Sequence, residues 1–136
     1  MANRTPTSSR KAATNGAPIR HQRRKIVPQA RGVVLELGFG SGLNVPFYDP
    51  ERVERVYALE PDEGMLVRAR KVAEHAPVPV TILPERAEDN SLPDKSVDTV
   101  LVTYALCTIP DGIAALKGAR RVLKPDGCFL FNVWDR

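Results

Sequence analysis

Three glycines alternate through Glu36-Leu37-Gly38-Phe39-Gly40-Ser41-Gly42, directly after the apolar run Val33 to Leu37. Missing side chains let a ligand approach the backbone closely, and the helix start that follows offers free N–H groups. A dinucleotide fingerprint would place its third glycine one residue later, where this chain has Leu43, which argues against NAD and FAD. Glu60 stands 18 positions beyond Gly42, at the end of the next apolar run. A carboxylate there can accept hydrogen bonds from both hydroxyls of a ribose and tells against a phosphorylated one. A glycine loop alone is often only a tight turn, and a lone acid at a strand end is usually solvated. At this separation the two together favour an adenosine-containing ligand.

These residues need strands and helices to hold them, and the apolar pattern supplies both. Val33 to Leu37 and Val56 to Leu59 read as buried strands, and Pro46 limits Gly42 to Tyr48 to a short helix. Asp62 caps a helix running to about His75, with Met65, Leu66, Ala69 and Val72 on one face. Val80 to Leu83 and Val97 to Thr103 are the third and fourth strands. A helix from about Asp111 to Leu123 ends at the turn Lys124-Pro125-Asp126-Gly127, and Cys128 to Val133 is the fifth strand. A short basic helix from His21 to Ala30, interrupted by Pro28, leads into the first. Alternation of this kind predicts an α/β fold, a Rossmann-like parallel sheet of about five strands with helices on both faces. Chemistry then belongs at the carboxyl ends of the strands, where the strand order reverses.

The chain has 136 residues, 43% of them hydrophobic and 26% charged, which suits one globular domain. Its formal charge of +4 is uneven: residues 1 to 25 hold seven of the 20 basic residues and no acid, leaving 13 basic against 16 acidic in the remainder. We therefore divide it into a basic, disordered leader (1–20) and a folded domain (21–136). The high isoelectric point describes the leader and speaks only weakly for a nucleic-acid partner of the folded part. No run reaches the ~18 apolar residues of a membrane span and no secretory signal is evident, so a cytoplasmic location is expected. Cys107 and Cys128 lack metal-ligand spacing, and no metal is expected.

With the glycine loop and Glu60 in place, the sequence resembles the class I S-adenosylmethionine-dependent methyltransferases, in the group that includes ubiquinone/menaquinone-biosynthesis and phospholipid or small-molecule methyltransferases. Four blocks carry the resemblance: VLELGFGSGLN (Val34 to Asn44), VYALEPDEGML (Val56 to Leu66), RAEDNSLPDKSVDTVLVTYALCTIPD (Arg86 to Asp111) and ALKGARRVLKPDG (Ala115 to Gly127). The resemblance implies S-adenosyl-L-methionine as cofactor. It gives Glu36 to the methionine amino group, directly or through water, and Gly38, Gly40 and Gly42 to the amino-acid part. Glu60 would hold the ribose, with Pro61 beside the adenine and Met65 at the following helix face, and Ala87 and Glu88 would meet the adenine edge. Thr103 and Tyr104 would line the far side and the route to the acceptor. Phe39 lies where the family favours small or sulfur-containing residues and would crowd the cofactor. Asp98 reads as structural, orienting the start of the fourth strand.

No catalytic dyad is evident. His21 and His75 read as surface residues and Cys107 as packing, which suits an acceptor that is already nucleophilic. Gly118 departs from the family, which usually has an acid there, at a helix cost of ~1 kcal/mol relative to Ala. The resemblance implies a seven-stranded sheet, whereas the sequence stops after five strands, so the domain reads as C-terminally truncated. Its exposed fifth strand would then offer a route to homo-oligomers. The expected activity is methyl transfer to a small-molecule or lipid-like acceptor. The alternatives are a non-catalytic S-adenosylmethionine-binding module and a nucleic-acid methyltransferase targeted by the basic leader. Sparse aromatics in that leader weigh against the last.

Overall fold

The computed structural model describes residues 17–103 and 110–132. The elements in chain order are α1 (Ala17–Ile26), β1 (Gly32–Leu37), β2 (Val53–Leu59), α2 (Glu63–Glu74), β3 (Val80–Leu83), β4 (Val97–Thr103), α3 (Gly112–Val122) and β5 (Leu123–Asn132). Short 3-10 turns lie at Val27–Gln29, Val45–Phe47 and Ala87–Asp89. The five strands form one parallel sheet in the order β3-β2-β1-β4-β5. The chain therefore steps outward from β1 on one side, through β2 to β3, and returns to the other side with β4. The reversal falls between β1 and β4, as the alternation of elements led us to expect.

Alternate residues of the central strands feed two cores. On one face Val34, Val56, Ala58 and Leu101 pack with Ala69 of α2, and Ile26 of α1 lies against the same cluster. On the other face Leu35, Leu37, Leu59, Val100 and Val102 pack with Ala115, Ala119 and Val122 of α3. Helices thus cover both faces, and the innermost strands read as nearly continuous apolar runs for that reason. α2 starts at the cap the sequence places for it, and α3 starts just after Asp111, which turns out to be its cap. The Asp62 carboxylate accepts from Gly64 N at 2.8 Å and that of Asp111 from Ala114 N at 3.0 Å.

Several boundaries differ from the expected ones, for local reasons. β2 begins at Val53 rather than Val56, because Val53 is buried and Glu54 and Arg55 follow the pleat despite their charges. α1 begins at Ala17 rather than His21, so the last four residues assigned to the leader belong to this helix; residues 1–16 lie outside the described residues. The turn after α3 is present but sits inside β5. Leu123 already pairs with Val97, and the ladder resumes at Cys128 opposite Thr99, with residues 124–127 looped out between them. Val133, the expected end of that strand, lies outside the described residues.

At the amino-terminal edge of the sheet, Asp98 accepts from Val33 N at 2.8 Å and from Lys124 Nζ at 3.1 Å, tying β1, β4 and β5 together. This is the structural role expected of it, at the end of β4 opposite Thr103. Gly118 also finds a structural reason: a Cβ there would meet the Ala87 carbonyl and Asn90 Nδ2 at 3.2 Å, so glycine lets α3 lie close against the 87–90 segment.

Candidate functional site

A cavity of about 820 Å³ opens at the carboxyl ends of β1, β2 and β4, at the switch point of the sheet. Its size falls in the usual range for small-molecule sites. Gly38, Phe39 and Gly40 form one wall, Glu60, Pro61 and Met65 a second, Ala87 and Glu88 a third, and Thr103 closes the end of β4. The glycine loop enters the cavity as a continuation of the sheet, since Phe39 N donates to the Leu59 carbonyl at 3.0 Å. Gly38, Gly40 and Gly42 all have positive φ. A Cβ on Gly40 would meet nothing within 4 Å, so its bare backbone faces open space. A Cβ on Gly42 would lie 2.7 Å from Val72 Cγ1; this glycine serves the packing of the loop on α2 and does not line the cavity.

Glu60 is 7% exposed, and its carboxylate bridges the loop and the start of α2. Oε1 accepts from Gly40 N at 2.6 Å and Oε2 from Asp62 N at 3.1 Å. Each carboxylate oxygen has more than one acceptor direction, so these bonds fix the group without exhausting it. Met65, placed on the apolar face of α2 by the sequence, turns instead toward the cavity and is 36% exposed, while Leu66 and Ala69 are buried. Glu88 is held by Arg86 at 3.2 Å and by Asp111 N at 3.4 Å. Burial opposes its charge, but its own backbone N–H, the Arg86 guanidinium and Asp111 N–H outweigh that and hold the carboxyl below its ordinary value.

Glu36 is buried behind the cavity wall rather than on it. Tyr48 Oη donates to its Oε1 at 2.6 Å and Asn44 Nδ2 to its Oε2 at 2.8 Å. Burial pushes this carboxyl up to about 7, against the lowering effect of those two bonds and of the Arg23 charge, with Glu60 adding to the rise. Burial, together with the Glu36 charge and hydrogen bond, raises the Tyr48 phenol further above its usual range, so it stays a donor. Between Glu36 and the cavity stands Asn44. Its Nδ2 also donates to Thr103 Oγ1 at 2.9 Å, and its Oδ1 accepts from Arg23 at 2.6 Å. The same Arg23 nitrogen reaches Thr103 Oγ1 at 3.3 Å.

The fold thus gathers nine of the expected residues around one cavity: Gly38, Phe39, Gly40, Glu60, Pro61, Met65, Ala87, Glu88 and Thr103. Glu36 and Gly42 stand behind the wall, and Tyr104, like Cys107, lies outside the described residues. Sequence reasoning missed Arg23, Asn44 and Arg86. Arg23 reads from the sequence only as one charge of the short basic helix, and its partners at Asn44 and Thr103 are 21 and 80 positions away; no local pattern announces such a contact. Asn44 could have been suspected, because a polar residue three places before the apolar Phe47-Tyr48 pair had no solvent-side role. Among the described residues on the cavity wall there is no His, Cys or Lys. The arrangement can accept hydrogen bonds from a ribose, admit a polar chain along bare backbone and stack a flat ring beside Pro61 and Met65. It offers no strong base. Among the described residues, no helix is long and apolar enough to cross a membrane, and no three His, Cys, Asp or Glu residues gather as metal ligands.

Compared with known proteins, residues 35–131 match the family model for a methyltransferase domain. A thiol S-methyltransferase from Homo sapiens is 30% identical over 99% of this chain and 55% of its own length. A phosphatidylethanolamine N-methyltransferase from Cereibacter sphaeroides is 35% identical over 71% of this chain and 47% of its own length. The chain spans about half the length of these curated relatives. Among solved structures, the YcgJ protein from Bacillus subtilis superposes with a TM-score of 0.68 at 26% identity, over 83% of this chain and 48% of the other. A SAM-dependent methyltransferase from Aquifex aeolicus superposes with a TM-score of 0.67 at 22% identity, over 90% of this chain and 69% of the other, a likeness of fold.

Proposed function

This chain belongs to the methyltransferase-domain family, and from that membership we propose that it binds S-adenosyl-L-methionine in the switch-point cavity and directs its methyl group to a small-molecule or lipid-like acceptor, thiols foremost. One observation carries the reading: the Glu60 carboxylate and the bare Gly40 backbone are joined at 2.6 Å on the wall of one cavity. The residues fit the cofactor. Glu60 would hold the ribose hydroxyls, Pro61 and Met65 would flank the adenine beside Ala87 and Glu88, and Gly38 to Gly40 would admit the methionine chain.

The bound sulfonium supplies an electrophilic methyl group, which needs an aligned nucleophile and a dry site more than a base. Alignment in such reactions contributes on the order of 7–11 kcal/mol. The walls made by Phe39, Met65 and Pro110 are apolar and limit water on the cavity side, and Glu60 and Glu88 stand where they would fix the nucleoside end. Among the described residues the wall holds no His, Cys or Lys, which favours an acceptor that ionises by itself, and a thiol with a pKa near ~8.5 does so near neutral pH. Several relatives are thiol S-methyltransferases, which supports the same choice.

The test is transfer of labelled methyl from S-adenosylmethionine to a panel of small thiols, amines and quinols. Thiol methylation that rises with thiolate fraction is expected. Cofactor binding without transfer to any acceptor would favour the non-catalytic module, and transfer to amines alone would contradict the choice of thiol.

A further inference from the structure

Ala87 and Glu88 reach the cavity wall from the segment between β3 and β4, outside the sheet, so their depth in the wall is set by what stands behind them. That support is one face of α3. A Cβ on Gly118 would lie 3.2 Å from the Ala87 carbonyl oxygen and 3.9 Å from that of Glu88, so bare helix backbone backs the wall directly. Arg121 stands one turn further along the same face. Its Nη2 donates to the Asn90 carbonyl at 3.0 Å and to Asn90 Oδ1 at 3.2 Å, and its Nη1 to the Leu92 carbonyl at 2.8 Å and to Asp94 Oδ1 at 2.7 Å. One planar guanidinium thus clamps the segment just beyond the 3-10 turn Ala87–Asp89, which Asn90 ends. Asn90 is buried, and its Oδ1 also accepts from Leu92 N at 3.1 Å, whereas its Nδ2, against Gly118, has no hydrogen-bond partner among the described residues. An unpaired buried donor costs stability, so this amide is held for the bonds its oxygen makes.

We propose that Gly118 and Arg121 are positioning residues for recognition of the purine base: through the 87–92 segment, α3 fixes the depth at which Ala87 and Glu88 meet the base edge, and so selects a 6-amino over a 6-oxo purine. The ionised Glu88 carboxylate is an acceptor only, which suits an amino group and repels a carbonyl oxygen. Such discrimination is lost over small displacements, because a hydrogen bond depends steeply on distance and angle. A Cβ on Gly118 would displace its neighbours by a few tenths of an ångström, and loss of the Arg121 clamp would release them. The ribose end is held separately, by Glu60 and Gly40, so the base edge can move without it. This inference rests on the reading that the cavity takes S-adenosylmethionine, and it assigns the base selectivity of that site to residues that do not line it.

Two ligands provide the test: S-adenosylhomocysteine and its deaminated analogue S-inosylhomocysteine, which differ at the six position. Both would be titrated calorimetrically into the native chain, Arg121→Gln, Arg121→Lys, Gly118→Ala and Asp94→Ala, with denaturant unfolding of each. The native chain is expected to prefer S-adenosylhomocysteine by about tenfold or more. Arg121→Gln should shrink that preference by about threefold to tenfold. Arg121→Lys should do the same, because an ammonium cannot span the acceptors that the guanidinium holds. Gly118→Ala should shrink it too, although alanine favours the helix. Asp94→Ala removes only an exposed ion pair and should leave the preference unchanged. A purely structural role for these residues would lower stability, or both affinities together, and keep their ratio. An unchanged ratio in either Arg121→Gln or Gly118→Ala, or no preference in the native chain, would overturn this inference alone. Failure of the folded native chain to bind either ligand would overturn the cofactor reading and this inference with it.

Discussion

Gly40 N donates to Glu60 Oε1 at 2.6 Å, so the acid that ends β2 and the loop that follows β1 are a single hydrogen-bonded unit. The second carboxylate oxygen takes Asp62 N at 3.1 Å, which aims the start of α2 at the same cavity. Glu60→Gln is not conservative here, because its NH2 would face one of two N–H donors. Either Glu60→Gln or Glu60→Ala should lower affinity for S-adenosylhomocysteine by about tenfold to a hundredfold, the equivalent of roughly 1.5–3 kcal/mol. Calorimetric titration checks this, with circular dichroism to confirm that the sheet is retained.

Gly42 and Val72 should be energetically coupled. Gly42→Ala would place a Cβ 2.7 Å from Val72 Cγ1, at a φ of +87° that itself disfavours a side chain. The backbone part costs about 1–2 kcal/mol and cannot be relieved by a neighbour. The steric part can. The pair Gly42→Ala with Val72→Ala should therefore be less destabilised than the sum of the single changes by about 1 kcal/mol, a coupling that denaturant unfolding of the four proteins would measure.

Glu36 gives stability a pH dependence of unusual sign for an acid. Its folded value near 7 lies above the ordinary 4.5, so the folded chain holds this proton where the unfolded chain has released it. Stability from this group accordingly falls as pH rises from about 4.5 to about 7 and levels off above, by on the order of 3 kcal/mol. Glu36→Gln keeps an acceptor for Asn44 and offers a donor to Tyr48, so the fold should survive. Its unfolding free energy should be flatter across that window, and an unchanged slope would assign the dependence to other groups.

Asp98 should behave in the opposite way. Burial opposes its charge, but Val33 N, the Lys124 ammonium and the Arg31 charge outweigh it and hold the carboxyl below its ordinary 3.8. The stability it contributes is present above that ordinary value and is lost as pH falls through the lower folded one. Asp98→Ala leaves the Val33 N–H without its acceptor and should destabilise by about 1–3 kcal/mol. Because Asp98 sits at the far end of β4 from Thr103, affinity for S-adenosylhomocysteine should not change. A parallel loss of affinity would show that the two ends of the sheet are linked.

How far the sequence reveals this molecule follows from how local each determinant is. β3 and β4 appear with their expected ends because each is a short apolar run closed by proline or polar residues, and α2 and α3 start at aspartates whose capping needs only three residues. The start of β2 was hidden because Glu54 and Arg55 look like loop residues until pairing with β1 is known. α1 lacks an apolar stripe, so its amino-terminal half could not be separated from the basic leader. The glycine loop and Glu60 were legible because strand, loop and acid recur in one parallel layer. The group formed by Glu36, Asn44, Tyr48, Thr103 and Arg23 was not, since it is assembled from α1, β1, β4 and the turn after the glycine loop. Glu36 shows the limit most clearly. Its position in the sequence points to the cavity, but Tyr48 and Asn44, which enclose it, declare themselves only in three dimensions.

Cofactor binding at the Gly40–Glu60 junction is tested most directly by titrating the folded chain with S-adenosylhomocysteine, observed residue by residue through amide NMR shifts. Saturable binding of one ligand is expected, with the largest changes at Gly38, Gly40, Glu60, Asp62 and Ala87 and little change at Val33 and Asp98. No binding by a chain that retains its folded spectrum, or changes centred away from the Gly40–Glu60 junction, would contradict it.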